Sequence, residues 1–467
     1  MTTLVWFRND LRLHDHPALA AAAAQGAVVP VFVLDERILR GRHASPNRTR
    51  FLLECLHDLR RSLQARGSDL IIRSGRPAEV LRQLTDETQA TAVYYTADYS
   101  PFATDRDQRL SEALEGGGLQ ITAYPGRLAI DQPADLATKA GKPHRVFTPF
   151  WRQWEATTRR PLATMPSQLT LPPGLQPGEL PDVAALCGAD ELSPDVLSGG
   201  ETAARQRLEA WLAGPIEHYE QHHNDLAADA TSRLSADLHF GCLSVREIET
   251  MLPDGEGTAA WHRQLAWRDF YHYVLLKFSA NAQFELQERY RDLAWEDNPE
   301  HLTAWQTGHT GYPVVDAAMR QLRAEGWMHN RARLIVGSFL TKDLGLDWRH
   351  GERHFMRWLI DGDEANNNGN WQWIGSVGVD PAPVFRRLYN PTKQQERFDP
   401  AGQYVRRYVP ELAQVPAAYL AEPWRLSEAD QTAIDCKIGR DYPAPVVDHA
   451  AARLVALERY RQAGVSD

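Results

Sequence analysis

The chain runs to 467 residues, of which 43% are hydrophobic and 24% charged, and it carries a formal net charge of −10. A chain of that length outgrows one efficient hydrophobic core, so two domains are expected in an ordinary soluble globular protein. The acidic balance excludes a protein that coats nucleic acid indiscriminately, although it leaves room for a local basic patch.

No apolar run reaches membrane-spanning length, and Met1-Thr-Thr-Leu-Val-Trp6 leads straight into strand-like sequence. A cytoplasmic protein with no membrane partner is therefore expected. Leu4–Phe7, Val28–Val33, Leu70–Ile72, Ala92–Tyr95 and Leu119–Thr122 are short apolar runs of buried-strand type. Between them Pro17–Ala24, Phe51–Ala65, Pro77–Leu84 and Thr104–Leu114 carry helical periodicity. This alternation predicts an α/β domain over residues 1–130, a doubly wound parallel sheet with right-handed helical crossovers. The loop Arg8–His16 has no GxGxxG, which argues against a nicotinamide site after the first strand. Residues 131–200 read as an interdomain linker, with seven prolines between positions 161 and 194. From 201 to 467 the patterns are mostly helical, as in Ala260–Lys277 and Val314–Glu325, so an all-helical C-terminal domain is expected. Cys55, Cys187, Cys242 and Cys436 form no CxxC pair and read as reduced, structural thiols.

Four stretches of this second half could carry chemistry. Thr231-Ser-Arg-Leu-Ser235 is rich in hydrogen-bond donors and opens a helical stretch, which suits either a phosphate cradle or a plain N-cap and turn. In Trp261–Tyr271, Gln264, Trp267, Arg268 and Tyr271 recur at spacings of three and four, so one helix face carries amide, indole, guanidinium and phenol together. Gly326–Leu334 begins a basic stretch with interleaved aromatics, the composition of a nucleic-acid groove or of a solvated helix face. His218-Tyr-Glu-Gln-His-His223 lacks the HExxH order and a nearby third ligand, so no metal site is expected.

The densest signal is Asp361-Gly-Asp-Glu-Ala-Asn-Asn-Asn-Gly-Asn-Trp-Gln-Trp373. Eleven of the 14 tryptophans lie beyond residue 200, and this run sets neutral amides between three acids and two indoles. It is too polar for a core helix and too aromatic for a solvated loop. It suits a site that holds a flat, hydrogen-bonding, redox-active ring.

Together with Trp6–Arg12 and Thr310–Asp316, these segments resemble the photolyase/cryptochrome family across nearly the whole chain, and bacterial class I cyclobutane pyrimidine dimer photolyases within it. The resemblance implies an N-terminal antenna domain and a C-terminal domain holding FAD, reduced and anionic when active. It implies FAD contacts at Tyr219, Thr231, Ser232, Arg233, Leu234, Ser235, Arg268, Asp361, Gly362 and Asp363, with Asn367 facing flavin N5. It implies a pocket for a flipped dimer walled by Trp267 and Trp373 and lined by Leu334. There Gln264 and Asn330 would bond the thymine edges while Arg331 and Gln394 meet phosphate. Asn367, Gln264 and Asn330 are thus the expected catalytic residues, and Trp371, Trp348 and Trp295 the expected electron-transfer chain. The implied partner is UV-damaged DNA, and a monomer is expected.

Three positions depart from the family pattern. Gln264 replaces a common glutamate, Leu334 a common methionine, and His223 a common DNA-contacting arginine. The stretch Ala97–Asp107 looks closer to the type that binds 8-hydroxy-5-deazaflavin as antenna than to the methenyltetrahydrofolate type, with Phe32, Asp35 and Arg48 expected nearby. A blue-light photosensor of the cryptochrome kind is the rival reading, and a (6-4) photolyase a weaker one. The sensor reading expects a C-terminal extension, whereas little follows the helix-like Val447–Ala463.

Overall fold

The first strand, Thr2–Phe7 (β1), alternates cleanly, sending Leu4 and Trp6 to one face of the sheet and Val5 and Phe7 to the other. In a computed structural model describing residues 1–114, 118–187 and 191–464, β1 lies at the centre of a five-stranded sheet. The other strands are Ala27–Leu34 (β2), Ile71–Ser74 (β3), Ala92–Thr96 (β4) and Gln120–Tyr124 (β5), in the order β3-β2-β1-β4-β5. Every pairing is parallel. Helices Pro17–Ala23 and Pro46–Gln64 cover one face, while Pro77–Thr88 and Pro101–Leu114 cover the other. This is the doubly wound sheet that the alternation predicts.

Helix Pro46–Gln64 begins five residues before the periodicity becomes apolar, for a local reason. The Ser45 side chain accepts a hydrogen bond from the Arg48 backbone, and Pro46 occupies the first helical position. Within residues 131–200 the chain is not all connection. Helix Phe147–Ala156 buries Phe147, Phe150 and Trp154, at spacings of three and four, against helix Glu256–Lys277.

From Glu201 to residue 464 the described chain is helical, with only isolated bridges. The core on the 17–64 side of the sheet continues without a break into Phe240, Leu265, Phe270 and Val274 of the helical half. A second core, around Trp305, Val315, Phe339, Trp348 and Trp371, supports the C-terminal helices. Between these two cores lies the site. No helix among the described residues is long and apolar enough to cross a membrane.

Candidate functional site

Three helices turn a polar or aromatic face toward one cavity of about 410 Å3. Helix 256–277 contributes Trp261, Gln264, Leu265, Trp267, Arg268 and Tyr271. Asn330 and Leu334 come from helix Asn330–Ser338, and Asn366, Asn370 and Trp373 from helix Glu364–Gly375. Each set is spaced by three or four residues, so each falls on one helical face. Tyr219, the whole of Thr231–Ser235, His239, Arg333, Asp361 and Asp363 also line the cavity.

The floor is fixed by buried charge. Asp363 caps helix 364–375, accepting from the Asn366 backbone at 2.9 Å, and accepts from Arg127 at 3.0 Å. His239 and His272 lie 3.5 and 3.6 Å from the same carboxylate. Burial raises the Asp363 carboxyl, but His272, His239 and Arg127 outweigh it and hold it well below the ordinary carboxylate range. Burial also drives His272 down to about 3, so at neutral pH Arg127 carries the balancing charge. Asp361 accepts from Arg333 at 2.7 Å. Arg268 donates to the carbonyls of Arg127 and Leu238, and its neighbour Asp269 receives a further bond at 3.2 Å.

Several polar atoms of this lining have no protein partner although they are buried: Thr231 Oγ1, Asp361 Oδ1 and Trp373 Nε1. Buried polar atoms are ordinarily paired, so this set asks for a ligand that brings its own donors and acceptors. A flavin nucleotide, with hydroxyls, phosphates and a ring edge that both donates and accepts, fits that requirement.

Asn367 and Gly362 line a smaller adjoining cavity of about 90 Å3, which shares Asn330, Leu334, Asp361 and Asn370 with the large one. The Asn367 amide nitrogen donates to the Glu352 carbonyl at 3.0 Å. Trp371 borders this smaller cavity, and its ring packs on Gly351, where an added Cβ would sit 2.1 Å from the indole. Trp348, three residues before Gly351 on helix Trp348–Trp358, packs in turn on Gly375 of the 364–375 helix. The two indoles therefore interlock across one helix pair. Trp371 is 3% exposed and Trp348 0%, whereas Trp295 is only partly buried and meets Tyr460 edge-on at 6.4 Å. Arg331 and Gln394 do not line the large cavity. Arg331 gives both Nε and Nη2 to Asn224 Oδ1 and stacks over Phe398, which shares a helical face with Gln394. His223 stacks on Tyr219 at 4.9 Å.

Sequence reasoning missed Arg127 and His239, and read Arg333 only as part of a basic stretch rather than as the partner of Asp361. Arg127 comes from a sheet-domain loop with no motif, and only the fold brings it to Asp363. His239 had a faint signal, four residues after Ser235 on the same short helix. Near the sheet, Arg48 is taken up by backbone carbonyls. Its guanidinium donates to the carbonyls of His43, Met356 and Leu359 and so ties the sheet domain to the helical half. Asp35 is engaged by Arg37 at 2.6 Å.

Two family models match, one described as DNA photolyase over residues 3–167 and one as FAD binding domain of DNA photolyase over residues 261–462. The Deoxyribodipyrimidine photo-lyase of Streptomyces griseus is 44% identical, covering 98% of both chains. That of Escherichia coli is 36% identical over 99% of both. A Cryptochrome DASH of Gloeobacter violaceus is 38% identical, over 96% of this chain and 93% of its own. Among solved structures, a bacterial class III photolyase from Agrobacterium tumefaciens superimposes with a TM-score of 0.92 at 34% identity, covering 99% of this chain and 98% of that one. A cavity built for a flavin nucleotide and full-length likeness in sequence and fold agree: the chain belongs to the DNA photolyase family and carries its FAD-binding domain.

Proposed function

We propose that this chain is a light-driven DNA repair enzyme, a deoxyribodipyrimidine photo-lyase that splits cyclobutane pyrimidine dimers. The observation that carries the reading is the convergence of Trp267, Trp373, Gln264 and Asn330 on the cavity that also holds the unpartnered polar atoms. One end of this site offers two flat apolar surfaces and amides, as an extruded pair of bases requires. FAD supplies the light absorption and the electron when bound.

Toward FAD, the hydroxyls of Thr231, Ser232 and Ser235, the guanidiniums of Arg233 and Arg268, and the carboxylates of Asp361 and Asp363 are the holding groups, with Tyr219, Leu234 and Gly362 beside them. Asn367 keeps its amide nitrogen on the Glu352 carbonyl, which leaves its oxygen to accept from flavin N5–H. A neutral amide at that position holds the atom without offering an acidic proton. Toward the dimer, Gln264 and Asn330 bond the thymine edges and Leu334 supplies bulk. Both amides are exposed at the cavity mouth, and although Gln264 Nε2 donates to the Ala260 carbonyl at 3.3 Å, its oxygen is left to accept. Gln264 retains the donor–acceptor shape of a carboxamide but brings no charge. Arg331 and Gln394 contact phosphate from beside the mouth. Trp371, Trp348 and Trp295 pass electrons inward from the surface, consistent with the interlocked pair and the part-exposed third indole.

For the antenna we favour 8-hydroxy-5-deazaflavin over methenyltetrahydrofolate, on the glutamate-free stretch Ala97–Asp107. Absorbance of the chromophore released from the folded protein distinguishes them. The enzyme acts as a monomer in this reading. Trp267→Ala tests the site itself: affinity for dimer-containing DNA should fall far more than affinity for intact DNA, and equal losses on both would remove Trp267 from the pocket wall.

A further inference from the structure

Each of the two aromatic walls has a flat group pressed against it from behind. Phe147 stacks on Trp267 with ring centroids 3.7 Å apart and planes 6° from parallel. The guanidinium of Arg387 lies 3.9 Å from the centre of the Trp373 ring. Both backing groups are buried, at 2% exposure. Each covers one ring face, so each indole can offer the cavity only its other face or its edge. Arg387 also grips Trp373 through the backbone, donating to the Trp373 carbonyl at 2.9 Å.

The two backing groups are not independent. Asp380 sits between them in the left-handed region, with φ of 54°. Its backbone N–H donates to the Arg145 carbonyl at 2.7 Å, and its Oδ1 accepts from the Phe147 backbone at 3.4 Å. On the other side its own carbonyl accepts from Arg387 Nη2, whose guanidinium lies 3.7 Å from the Asp380 carboxylate. Segment 145–147, from the stretch joining the domains, is thereby fastened to the chain that follows the 364–375 helix. The two walls come from different helices, and this is a chain of direct contacts running from one ring to the other behind the cavity.

We propose that Phe147, Arg387 and Asp380 are positioning residues that hold Trp267 and Trp373 as the two sides of one slot of fixed width, and so set the preference for a flipped dimer over undamaged DNA. The inference rests on the reading above in which those two rings wall the dimer. A stacking surface that cannot tilt or withdraw loses less on ordering when its partner arrives, so rigid backing raises affinity for the ligand that fits the slot. Phosphate contacts outside the slot are untouched by it, and intact DNA uses only those.

The test uses the full chain with FAD bound and two oligonucleotides, one carrying a single cyclobutane thymine dimer and one undamaged. Three quantities are measured: dissociation constant for each, repair rate with the dimer complex saturated under constant blue light, and the flavin absorption spectrum. Phe147→Leu keeps an apolar group but loses the flat face, and Arg387→Lys keeps the charge but loses the planar stack. Each is expected to weaken dimer binding about tenfold. Affinity for undamaged DNA, the saturated repair rate and the flavin spectrum should stay within about twofold of the parent protein. Asp380→Gly keeps the left-handed backbone and removes the carboxylate, and it should reproduce the loss in weaker form. Asp380→Asn tolerates the same backbone and retains an acceptor for the Phe147 N–H, so it should restore the parent preference.

Equal losses on both oligonucleotides, or unchanged dimer affinity in Phe147→Leu and Arg387→Lys, would overturn the proposal. Should a core variant fail to retain FAD, the comparison of Asp380→Gly with Asp380→Asn decides alone, and equal behaviour of those two counts against it. Trp267→Ala separates the two levels of argument. If it keeps its dimer preference, the wall reading fails. If it loses that preference while the backing variants keep theirs, only the slot inference fails.

Discussion

Along the sheet the strands bury Leu4, Val29, Val31, Ile71 and Val93 against flanking helices, whereas the 364–375 helix buries Asn367, Asn368 and Gln372 in a comparable setting. Those amides are all engaged. Asn368 reaches Glu352 at 3.1 Å and accepts from Asn281 at 3.0 Å, while Gln372 donates to the carbonyls of Asn281 and Phe284. A sheet core held by apolar contact tolerates small changes of shape, because the attraction is non-directional. A helix held by buried hydrogen bonds has one register, because every misplacement leaves a polar group unpaired. The molecule thus uses an apolar core where it needs a scaffold and a polar network where it needs a fixed address for each side chain.

Substitutions sharpen that contrast, beginning with the largest expected effect. Asp363→Ala leaves Arg127 buried without its nearest carboxylate and removes the helix cap. A loss of about 3–5 kcal/mol in denaturant unfolding is expected, together with loss of bound FAD. Retention of both would show that the charge cluster is not the anchor of the site. Gly351→Ala drives a methyl into the Trp371 ring, costing about 1–3 kcal/mol by overpacking. It should also slow blue-light reduction of oxidised flavin, and an unaltered photoreduction rate would detach Trp371 from electron transfer.

A third effect is a matter of pH. Burial lowers His329 to about 4, with the Arg331, Arg333 and Arg233 charges adding to it, and its Nδ1 accepts from the Arg331 backbone. The unfolded chain binds this proton near pH 6.5 and the folded chain does not until near pH 4. Its contribution is therefore complete above about 6.5 and is lost as pH falls toward 4, at up to ~1.4 kcal/mol per pH unit. Urea midpoints measured across that range in the parent and in His329→Asn should show a shallower slope in the variant. The smallest effect belongs to the sheet. Ile71→Val should cost only about 0.5–1.5 kcal/mol and leave FAD content and repair untouched. A loss of FAD there would break the distinction between scaffold and site.

The same contrast explains what could be read from the chain. Strands Thr2–Phe7 and Ala92–Thr96 declare themselves because burial on both faces selects continuous apolar residues. The helix face of Gln264, Trp267, Arg268 and Tyr271 was equally legible, since periodicity alone puts those groups together. Arg127, Arg387 and Phe147 were not, because they reach the site through contacts between distant segments. The polar stretch Asp361–Trp373 sits between these cases. Its composition marks it as special, but only the fold reveals that its amides bond to residues 281, 284 and 352.

The most direct measurement is blue-light repair by the purified, reduced, FAD-loaded chain on oligonucleotides carrying either one cyclobutane dimer or one (6-4) photoproduct. Light-dependent loss of the cyclobutane dimer alone is the predicted result. No repair of either lesion by a protein that visibly holds FAD would contradict it. The photosensor reading would then take its place, with Gln264 and Leu334 as the departures that disabled repair.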